Sequence, residues 1–426
     1  MTAPEARPDR YSVASWVTYD LANTIFALGV VGVYFSDWLV EAGLPDSALS
    51  LVQVGAAVVV VFVAPWVGAR SDVKGTRIPA LIATTLVAVV ATSLLAIGPI
   101  ALTLAMLWVA VIAVNIGSVV YDALLVDVST PETRGWISGL GVGVGYVGSF
   151  IGLGIGVLTL EVAGWSHGAT FRTLALGFLV FAIPAFFFID ERHGSAADPL
   201  PRVRDVVKRL GQSWKTASRY EGVIRFLVGR FFYTDAINTL IGGFLALFVL
   251  QELELDRTFF TALMAVAITA AIGGGLGAGW FITRLGPMRV LRTVLVLWMV
   301  AMGSGIVAAV TGQTAFAWII GPLGGIALGA TWSSDRVVMT RISPPRHLGE
   351  FYGLYATVAR FATIAGPLAW AVVVDGLDLG RNFALGTLIA FVFTGWWILR
   401  LVDDRERDWP ARDLPELSGT PETPLT

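Results

Sequence analysis

The stretch "TYDLANTIF", Thr18 to Phe26, places a carboxylate, an amide and a hydroxyl inside an otherwise apolar run. The same order and spacing of Asp, Asn and Thr returns in "YTDAINTL", Tyr233 to Leu240. The two aspartates are 215 residues apart, which is half of the 426-residue chain. A pattern that recurs at half the chain length predicts a fold built from two copies of one structural unit.

The composition is that of a membrane protein. Hydrophobic residues make up 56% of the chain and charged residues only 14%, against about a quarter charged in soluble domains. The net charge is −2 and the basic residues fall in short, separate clusters, so we expect no nucleic-acid partner. There is no cysteine, and none of the three histidines lies in an apolar run, which argues against a metal cage or a histidine proton relay.

The sequence offers little sign of nucleotide binding. The segment "GVGYVG", Gly143 to Gly148, matches the dinucleotide fingerprint G-x-G-x-x-G, but no strand precedes it and it lies in an apolar run. Small residues that let helices approach closely explain it better. A G-x-x-x-x-G-K-[ST] phosphate loop is absent, so nothing in the sequence indicates ATP hydrolysis. The sequence predicts no cofactor and no enzyme, and any energy source would be an ion gradient.

Apolar runs of the length that a bilayer requires occur twelve times. A hydrocarbon core about 30 Å thick needs about 20 residues of helix. The sequence therefore predicts an all-α membrane protein of twelve transmembrane helices in two pseudo-symmetric six-helix bundles. The predicted spans are 13–40, 50–69, 78–98, 101–125, 136–160, 170–189, 222–251, 259–283, 288–310, 314–338, 350–375 and 382–402.

The basic residues predict the orientation of these spans. The loops after the odd-numbered spans hold only Arg257 and Arg381, with Arg172 at the edge of the sixth span, while the other face carries most of the remaining Lys and Arg residues. Because positive loops stay in the cytoplasm, we expect both termini there and the protein in the plasma membrane. The predicted segments are a cytoplasmic N-terminus 1–12, bundles 13–190 and 222–402, a linker 191–221 and a disordered tail 403–426.

The linker contains an amphipathic pattern. Its apolar residues recur at helical spacing against a basic opposite face, which predicts a helix lying on the membrane surface. These residues are Val203, Val206, Val207, Leu210 and Trp214. A site for a partner or for lipid regulation is the alternative.

Two further pairs of segments support the repeat. "GARSDVKGTR", Gly68 to Arg77, and "GWFITRLGPMR", Gly279 to Arg289, share a G-x-x-x-[D/T]-x-x-G frame. The intervals Asp122 to Pro131 and Asp335 to Pro344 are both nine residues. Such parallel repeats of six spans are known in transporters whose substrate site lies between the halves.

These motifs also carry a resemblance to known proteins. "GARSDVKGTR" resembles the loop signature G-x-x-x-D-x-x-G-[RK]-[RK] of the major facilitator superfamily, with Thr76 departing at the first basic position. "YDLANTIFALGVVGVYF", "GWISGLGVGVGYVG", "FFYTDAINT" and "GEFYGLYATVARFATIAGPL" resemble the vacuole-effluxer-like (autophagy-related amino-acid exporter) branch. The resemblance implies two six-helix bundles that rock about a central site, with amino-acid export as a lead.

The repeated motif supplies the first candidate site residues. Helix positions i, i+3 and i+4 share a face, so each half should present one polar stripe, and the two stripes should face each other. Three roles remain open for the aspartates: pairing with neighbouring helices, binding a substrate amine or cation, and taking up protons. The residues are Asp20, Asn23, Thr24, Asp235, Asn238 and Thr239.

Two arginines that lie well inside the apolar runs are further candidates. Arg360 should lie near the bilayer midplane, and matching Gly139 to Gly353 places Tyr146 at its equivalent position. Arg230 lies five residues before Asp235, about 140° around the helix, and so does not share its face. One cation and two carboxylates suit a zwitterion or a small organic anion moved with protons. The alternative is a salt bridge from Arg360 to one of the aspartates of the repeated motif.

The resemblance implies a gate at the cytoplasmic side, where Asp72, Arg77, Asp127 and Arg134 match loop motifs that close the inner mouth. Charge-assisted contacts at helix ends can be made in one state and broken in another. Solvated surface charge is the alternative. The full set of candidate gate residues is Gly68, Asp72, Gly75, Arg77, Asp122, Asp127, Arg134 and Asp335.

We therefore expect a secondary active transporter that moves a small polar solute, an amino acid or a small organic anion, by alternating access. Proton coupling would run through Asp20 or Asp235. An exporter of amphipathic compounds is one alternative, because the many Phe and Trp residues could line a cavity. A non-transporting receptor or scaffold is another, although it would need a partner-binding domain. The predicted partners are a small-molecule substrate, protons and membrane lipid, and the expected state is a monomer.

Overall fold

A computed structural model describes residues 9–74, 76–130, 133–191, 203–405 and 409–410 of the chain. In these ranges the regular structure is helical, with no strand. Residues 1–8 of the predicted N-terminal segment, 192–202 of the predicted linker, and 406–408 and 411–426 of the predicted tail lie outside the described residues. The predicted segment boundaries themselves stay predictions.

The described residues contain eleven helices long and apolar enough to cross a membrane. A shorter apolar helix of 16 residues, Ile78–Ser93, takes the third place in the order. The prediction of a twelve-helix, all-α membrane fold is confirmed. Spans one to twelve are Arg10–Glu41, Asp46–Lys74, Ile78–Ser93, Ile100–Leu124, Arg134–Gly156 with Val157–Val162, His167–Phe188, Val223–Glu252, Arg257–Leu285, Pro287–Thr311, Ala317–Ile342, Leu348–Phe361 with Ala365–Gly376, and Arg381–Leu399.

Spans one to six pack mainly on each other, and so do spans seven to twelve. Glycines allow the closest crossings, because helices in lipid gain stability from close backbone contact. A Cβ on Gly148 of span five would lie 2.9 Å from the carbonyl carbon of Leu21, and one on Gly325 of span ten would lie 2.8 Å from Cβ of Ala270. The helix-packing explanation of "GVGYVG" therefore fits the structure.

Spans one, five, seven and eleven each contain a departure from regular α-helix. Span one continues as a π-helical segment, Ile25–Tyr34. Span seven passes through Gly243 at φ 107°, a left-handed conformation that suits glycine. A Cβ at Gly243 would lie 2.8 Å from the carbonyl oxygen of Val31, so the two halves touch there without room for a side chain.

The linker contains the helix that its apolar spacing predicts. It runs over Val203–Ala217. The chain then enters span seven through Gly222, at φ 84°. Tyr220, just before that turn, packs edge-on against Phe351 of span eleven, with ring centroids 5.6 Å apart. This contact ties the linker to the C-terminal half.

Candidate functional site

A cavity of about 780 Å³ lies between the two halves. Its wall is mostly apolar and is built from spans one, two, four, five and seven to eleven. Six of the nine predicted substrate or coupling residues line it, and so does Asp122, which the sequence assigned to the gate. The candidate residues on this wall are Asp20, Asn23, Thr24, Asp122, Tyr146, Asn238 and Arg360.

Asp20 is half-buried at the cavity surface and lies against span five. A Cβ on Gly145 would be 2.8 Å from its Oδ2, so a larger residue there would displace the carboxylate. Thr24, one turn along, donates from Oγ1 to the Gly145 carbonyl oxygen at 2.5 Å. The charges that act on Asp20 are those of Asp122 and Arg336. Asp20 therefore shares the cavity wall with a second carboxylate, that of Asp122.

Arg360 lies in the last turn of the first helix of span eleven and is half-buried. Among the described residues its guanidinium has no hydrogen bond and no ion pair, so the alternative salt bridge to Asp20 or Asp235 is not formed in this structure. The carboxylate whose charge acts on it is Asp122, which is exposed on the cavity wall. The cavity thus holds a cation without a hydrogen-bonded partner.

Asp235 does not face the cavity. It is fully buried, and its carboxylate accepts backbone hydrogen bonds from Ala365 at 2.9 Å and Gly366 at 3.0 Å. Thr239 is also buried and donates to the Asp235 carbonyl oxygen at 2.7 Å. We expected both polar stripes to face each other across the cavity. This is wrong for Asp235 and Thr239, because span eleven packs against both side chains and separates them from the cavity. Asn238 alone of the second stripe lines the cavity.

Arg230 is likewise enclosed in protein. Its Nε lies 3.1 Å from Oδ2 of Asp335, and both side chains are at most 4% exposed. Tyr355 completes the cluster: its hydroxyl donates to Asp335 Oδ1 at 2.9 Å, and its ring lies 3.6 Å below the guanidinium. Asp335 is thus an interior ion-pair partner and not part of an exposed gate. The predicted angular separation agrees with the structure, since Arg230 and Asp235 have different partners.

Three of the candidate gate residues make contacts within the N-terminal half. Arg77 Nη1 lies 2.9 Å from Asp127 Oδ2, and Arg134 Nε donates to Ser129 Oγ at 3.3 Å. Gly75 and the side-chain positions of Gly68 and Asp72 lie outside the described residues. A network involving Asp72 therefore stays a prediction.

Sequence reasoning missed two ion pairs that join the halves at the opposite end of the spans. Asp46, the first residue of span two, accepts from Arg381 Nη2 at 2.8 Å and from Trp370 Nε1 at 2.8 Å. Arg257, the first residue of span eight, places Nε 2.8 Å from Oδ2 of Asp37. We call Asp37, Arg257, Asp46 and Arg381 the outer clasp, where outer denotes the end of the spans opposite the predicted gate. Asp46 is completely buried, so the clasp is part of a packed interface.

A signal for the outer clasp was present in the sequence. Most basic residues lie in the loops on the predicted cytoplasmic side, but Arg257 and Arg381 lie in loops on the other side. A basic residue that departs from the positive-inside rule in this way suggests a nearby acidic partner. His167 also joins the clasp, because its Nε2 lies 2.8 Å from Asp37 Oδ2. The clasp closes the outer end, whereas Asp122 and Ala356, toward the inner end of the cavity, are exposed.

Comparison with known proteins places these features in a family. The family model described as "Vacuole effluxer Atg22 like" matches residues 126–408. The uncharacterized MFS-type transporter YxiO of Bacillus subtilis (strain 168) is 26% identical over 399 residues, covering 89% of this chain and 92% of that protein. Autophagy-related protein 22-1 of Penicillium rubens is 25% identical over 312 residues, covering 67% of this chain and 52% of that protein. The chain thus spans about half the length of this fungal relative.

A solved structure supports the fold independently. The crystal structure of the nucleoside transporter NupG superposes with a TM-score of 0.70 at 12% sequence identity. The match covers 92% of this chain and 100% of that one. At this identity the likeness concerns the arrangement of helices alone.

The two equivalent aspartates in the fourth span of each half, Asp122 and Asp335, should differ in their effect on stability. Asp335→Asn removes the carboxylate from a buried arginine, so we expect the free energy of unfolding to fall by about 3–5 kcal/mol. Asp122→Asn, the matched change on the cavity wall, should alter it by about 0.5 kcal/mol or less. Denaturant or thermal unfolding of the detergent-purified variants measures both. Equal losses would contradict the different environments assigned to the two carboxylates.

Proposed function

Because the chain belongs to the Atg22-like vacuole effluxer family of the major facilitator superfamily, we propose that it is a secondary active transporter that moves a small zwitterion or organic anion. Its relatives are transporters and not enzymes, and a small-molecule cargo follows from that membership. Beyond that membership, we propose the chemical class of the cargo, the coupling ion and the transport cycle.

The observation that carries the choice of cargo is the isolated charge of Arg360 in the cavity. Arg360 lines the cavity, and a guanidinium remains protonated, so its positive charge is available to a solute. A carboxylate on the solute would accept two parallel hydrogen bonds from it. Asp20 and Asp122 on the facing spans would receive an amino group of the same solute. An amino acid carries both groups, and a small organic anion carries the first.

The outer clasp supports a cycle of alternating access. Its contacts join one half to the other at one end only, and ion pairs at helix ends can separate when the halves rock. Gln53 of span two adds a contact nearer the cavity, donating from Nε2 to the Gly242 carbonyl oxygen at 2.5 Å. In the proposed cycle these contacts break as the outer end opens, and the opposite end of the cavity closes in exchange.

We propose that Asp20 takes up and releases the coupled proton. Asp235 is engaged by two backbone N–H groups and is sealed from the cavity, so it is a poor proton carrier. Asp20 borders the cavity and lies among the charges of Asp122 and Arg336. A proton bound there changes the charge balance that the solute meets. Binding and release on opposite sides of the membrane would couple the two movements.

A second cargo class is favoured by the apolar wall. Trp298, Trp332, Phe26 and Met264 are among the apolar residues that line the cavity. A cavity of about 780 Å³ has room for a compound with a sizeable apolar part beside its charged group. Export of amphipathic compounds is therefore the alternative function.

The proposed location is the plasma membrane, as a monomer with both termini in the cytoplasm. The uneven distribution of basic residues between the two faces supports this orientation. The vacuole named in the family description belongs to its relatives. The outer clasp would then lie at the extracellular side.

Solute binding should depend on the two cavity charges. We expect amino acids or organic anions to stabilise the purified protein in a thermal-shift screen, by about 2.7 kcal/mol at a hundred times Kd. Arg360→Ala should abolish the shift from every carboxylate-bearing compound. Asp20→Asn should weaken only those that also carry an amine.

Matched controls separate loss of binding from loss of fold. Arg172→Ala and Asp378→Asn change exposed residues outside the cavity and should keep the full shift. Stabilisation that persists in Arg360→Ala would remove this arginine from the binding site. A panel in which only large apolar compounds give a shift would support the alternative cargo.

Transport should follow a pH gradient through Asp20. In proteoliposomes, an imposed gradient should accelerate uptake of an identified solute by the unmodified protein. Asp20→Asn should make uptake independent of the gradient while solute exchange continues, whereas Asp235→Asn should keep the dependence at a lower rate. Uptake by the unmodified protein that ignores the gradient would rule out proton coupling.

A further inference from the structure

Span eleven is broken in its middle, and a proline explains the position of the break. The first helix ends at Phe361 and the second begins at Ala365, with Ala362 at φ −79° and ψ 46° between them. Pro367 has no N–H to donate to the carbonyl of Thr363, four residues earlier, and its ring crowds that carbonyl. Backbone groups are therefore left without helical partners inside a membrane span, where each would cost several kcal/mol.

Span seven supplies the missing partners. Asn238 donates from Nδ2 to the Ala362 carbonyl oxygen at 2.9 Å. Asp235 accepts from the N–H groups of Ala365 and Gly366 with its two carboxylate oxygens. A Cβ on Gly366 would lie 2.9 Å from Asp235 Oδ1, so the glycine is needed for this approach. The repeated motif is thus a clamp on the break.

The same motif in the first half has nothing to clamp. Span five is one unbroken α-helix over Arg134–Gly156, and Leu153 stands where the repeat places Pro367. Thr24 bonds to a carbonyl of that helix, but Asp20 has no backbone N–H partner among the described residues. Only the C-terminal half has the proline that breaks the helix. Only its aspartate, Asp235, therefore accepts hydrogen bonds from backbone N–H groups at a break.

The break also sets the direction of Arg360, which lies two residues before Ala362. The inner helix of span eleven is held at two points: Arg230 Nη1 donates to the Tyr355 carbonyl oxygen at 3.1 Å, and Asn238 holds Ala362. Between these points the helix presents Ala356, Ala359 and Arg360 to the cavity. Its rotation therefore depends on span seven.

We propose that Asp235 is a positioning residue that fixes the break in span eleven and thereby directs the Arg360 guanidinium into the cavity. The importance of the direction of Arg360 for solute binding rests on the proposed function. The dependence of span eleven on Asp235 is independent of that function, and it can be measured without any solute.

The absence of cysteine from the chain allows a direct measurement. Ala356→Cys places a reporter on the cavity face of span eleven, and Val142→Cys places its repeat equivalent on span five; both positions are exposed on the cavity wall. The rate of modification by N-ethylmaleimide, an uncharged reagent, is measured on the full-length purified protein. Each reporter is combined with Asp235→Asn, which keeps the shape of the side chain but replaces one acceptor oxygen by a donor.

Asp235→Asn should change the rate at the Ala356→Cys reporter about tenfold, as expected when a buried backbone partner is lost. The Val142→Cys reporter should change less than about twofold, because span five does not depend on this clamp. The matched change Asp378→Asn, in an exposed outer loop, should affect neither reporter. A general rocking of the halves would instead alter both reporters together.

Unchanged labelling of Ala356→Cys, or a parallel change in both reporters, would overturn the positioning role. If Asp235→Asn does not fold, Asn238→Ser removes the other clamp contact, and the same selective change is expected from it. Failure of the proposed function would appear differently, as absence of any solute-induced thermal shift while the reporter selectivity remains.

Discussion

The cost of holding a charge away from water is the constraint on which both halves of this protein depend. In the C-terminal half the buried charges of spans seven and ten have partners in the protein. Asp235 binds the backbone of span eleven, and Arg230 pairs with Asp335. In the N-terminal half Asp20 borders the cavity, with Arg360 reaching it from the other side. One repeated pattern has thus become framework in one half and cavity wall in the other.

The outer clasp shows a related divergence. Asp46 and Arg257 occupy the same place in the repeat, as the first residues of spans two and eight, but carry opposite charges. Each reaches across to the other half, to Arg381 and to Asp37. A symmetric interface with identical charges would repel itself, so the two halves need complementary residues at these positions. The clasp therefore closes the outer end through two ion pairs, in which each half supplies one carboxylate or one guanidinium to each pair.

Hydropathy alone located the twelve spans within a few residues, because their length is imposed by the bilayer. Helical geometry also predicted that Arg230 and Asp235 face different partners. The role of Asp235 was beyond such reasoning, since its partners lie 130 and 131 residues away and depend on a break made by Pro367. The clasp was missed for the same reason: Asp46 meets Arg381 across 335 residues. Contacts of this kind depend on how helices pack, which local patterns do not specify.

Movement at the outer end tests the account most directly. Ser47 and Asp375 touch across the two halves, where the Ser47 N–H meets Asp375 Oδ2 at 2.5 Å. In the cysteine-free chain, Ser47→Cys with Asp375→Cys can be joined by a short bifunctional methanethiosulfonate, and uptake of radiolabelled amino acids into proteoliposomes measured before and after reduction. The account predicts that cross-linking stops uptake, that reduction restores it, and that each single variant treated alike keeps it. Full uptake with the outer end locked would contradict transport by rocking of the two halves.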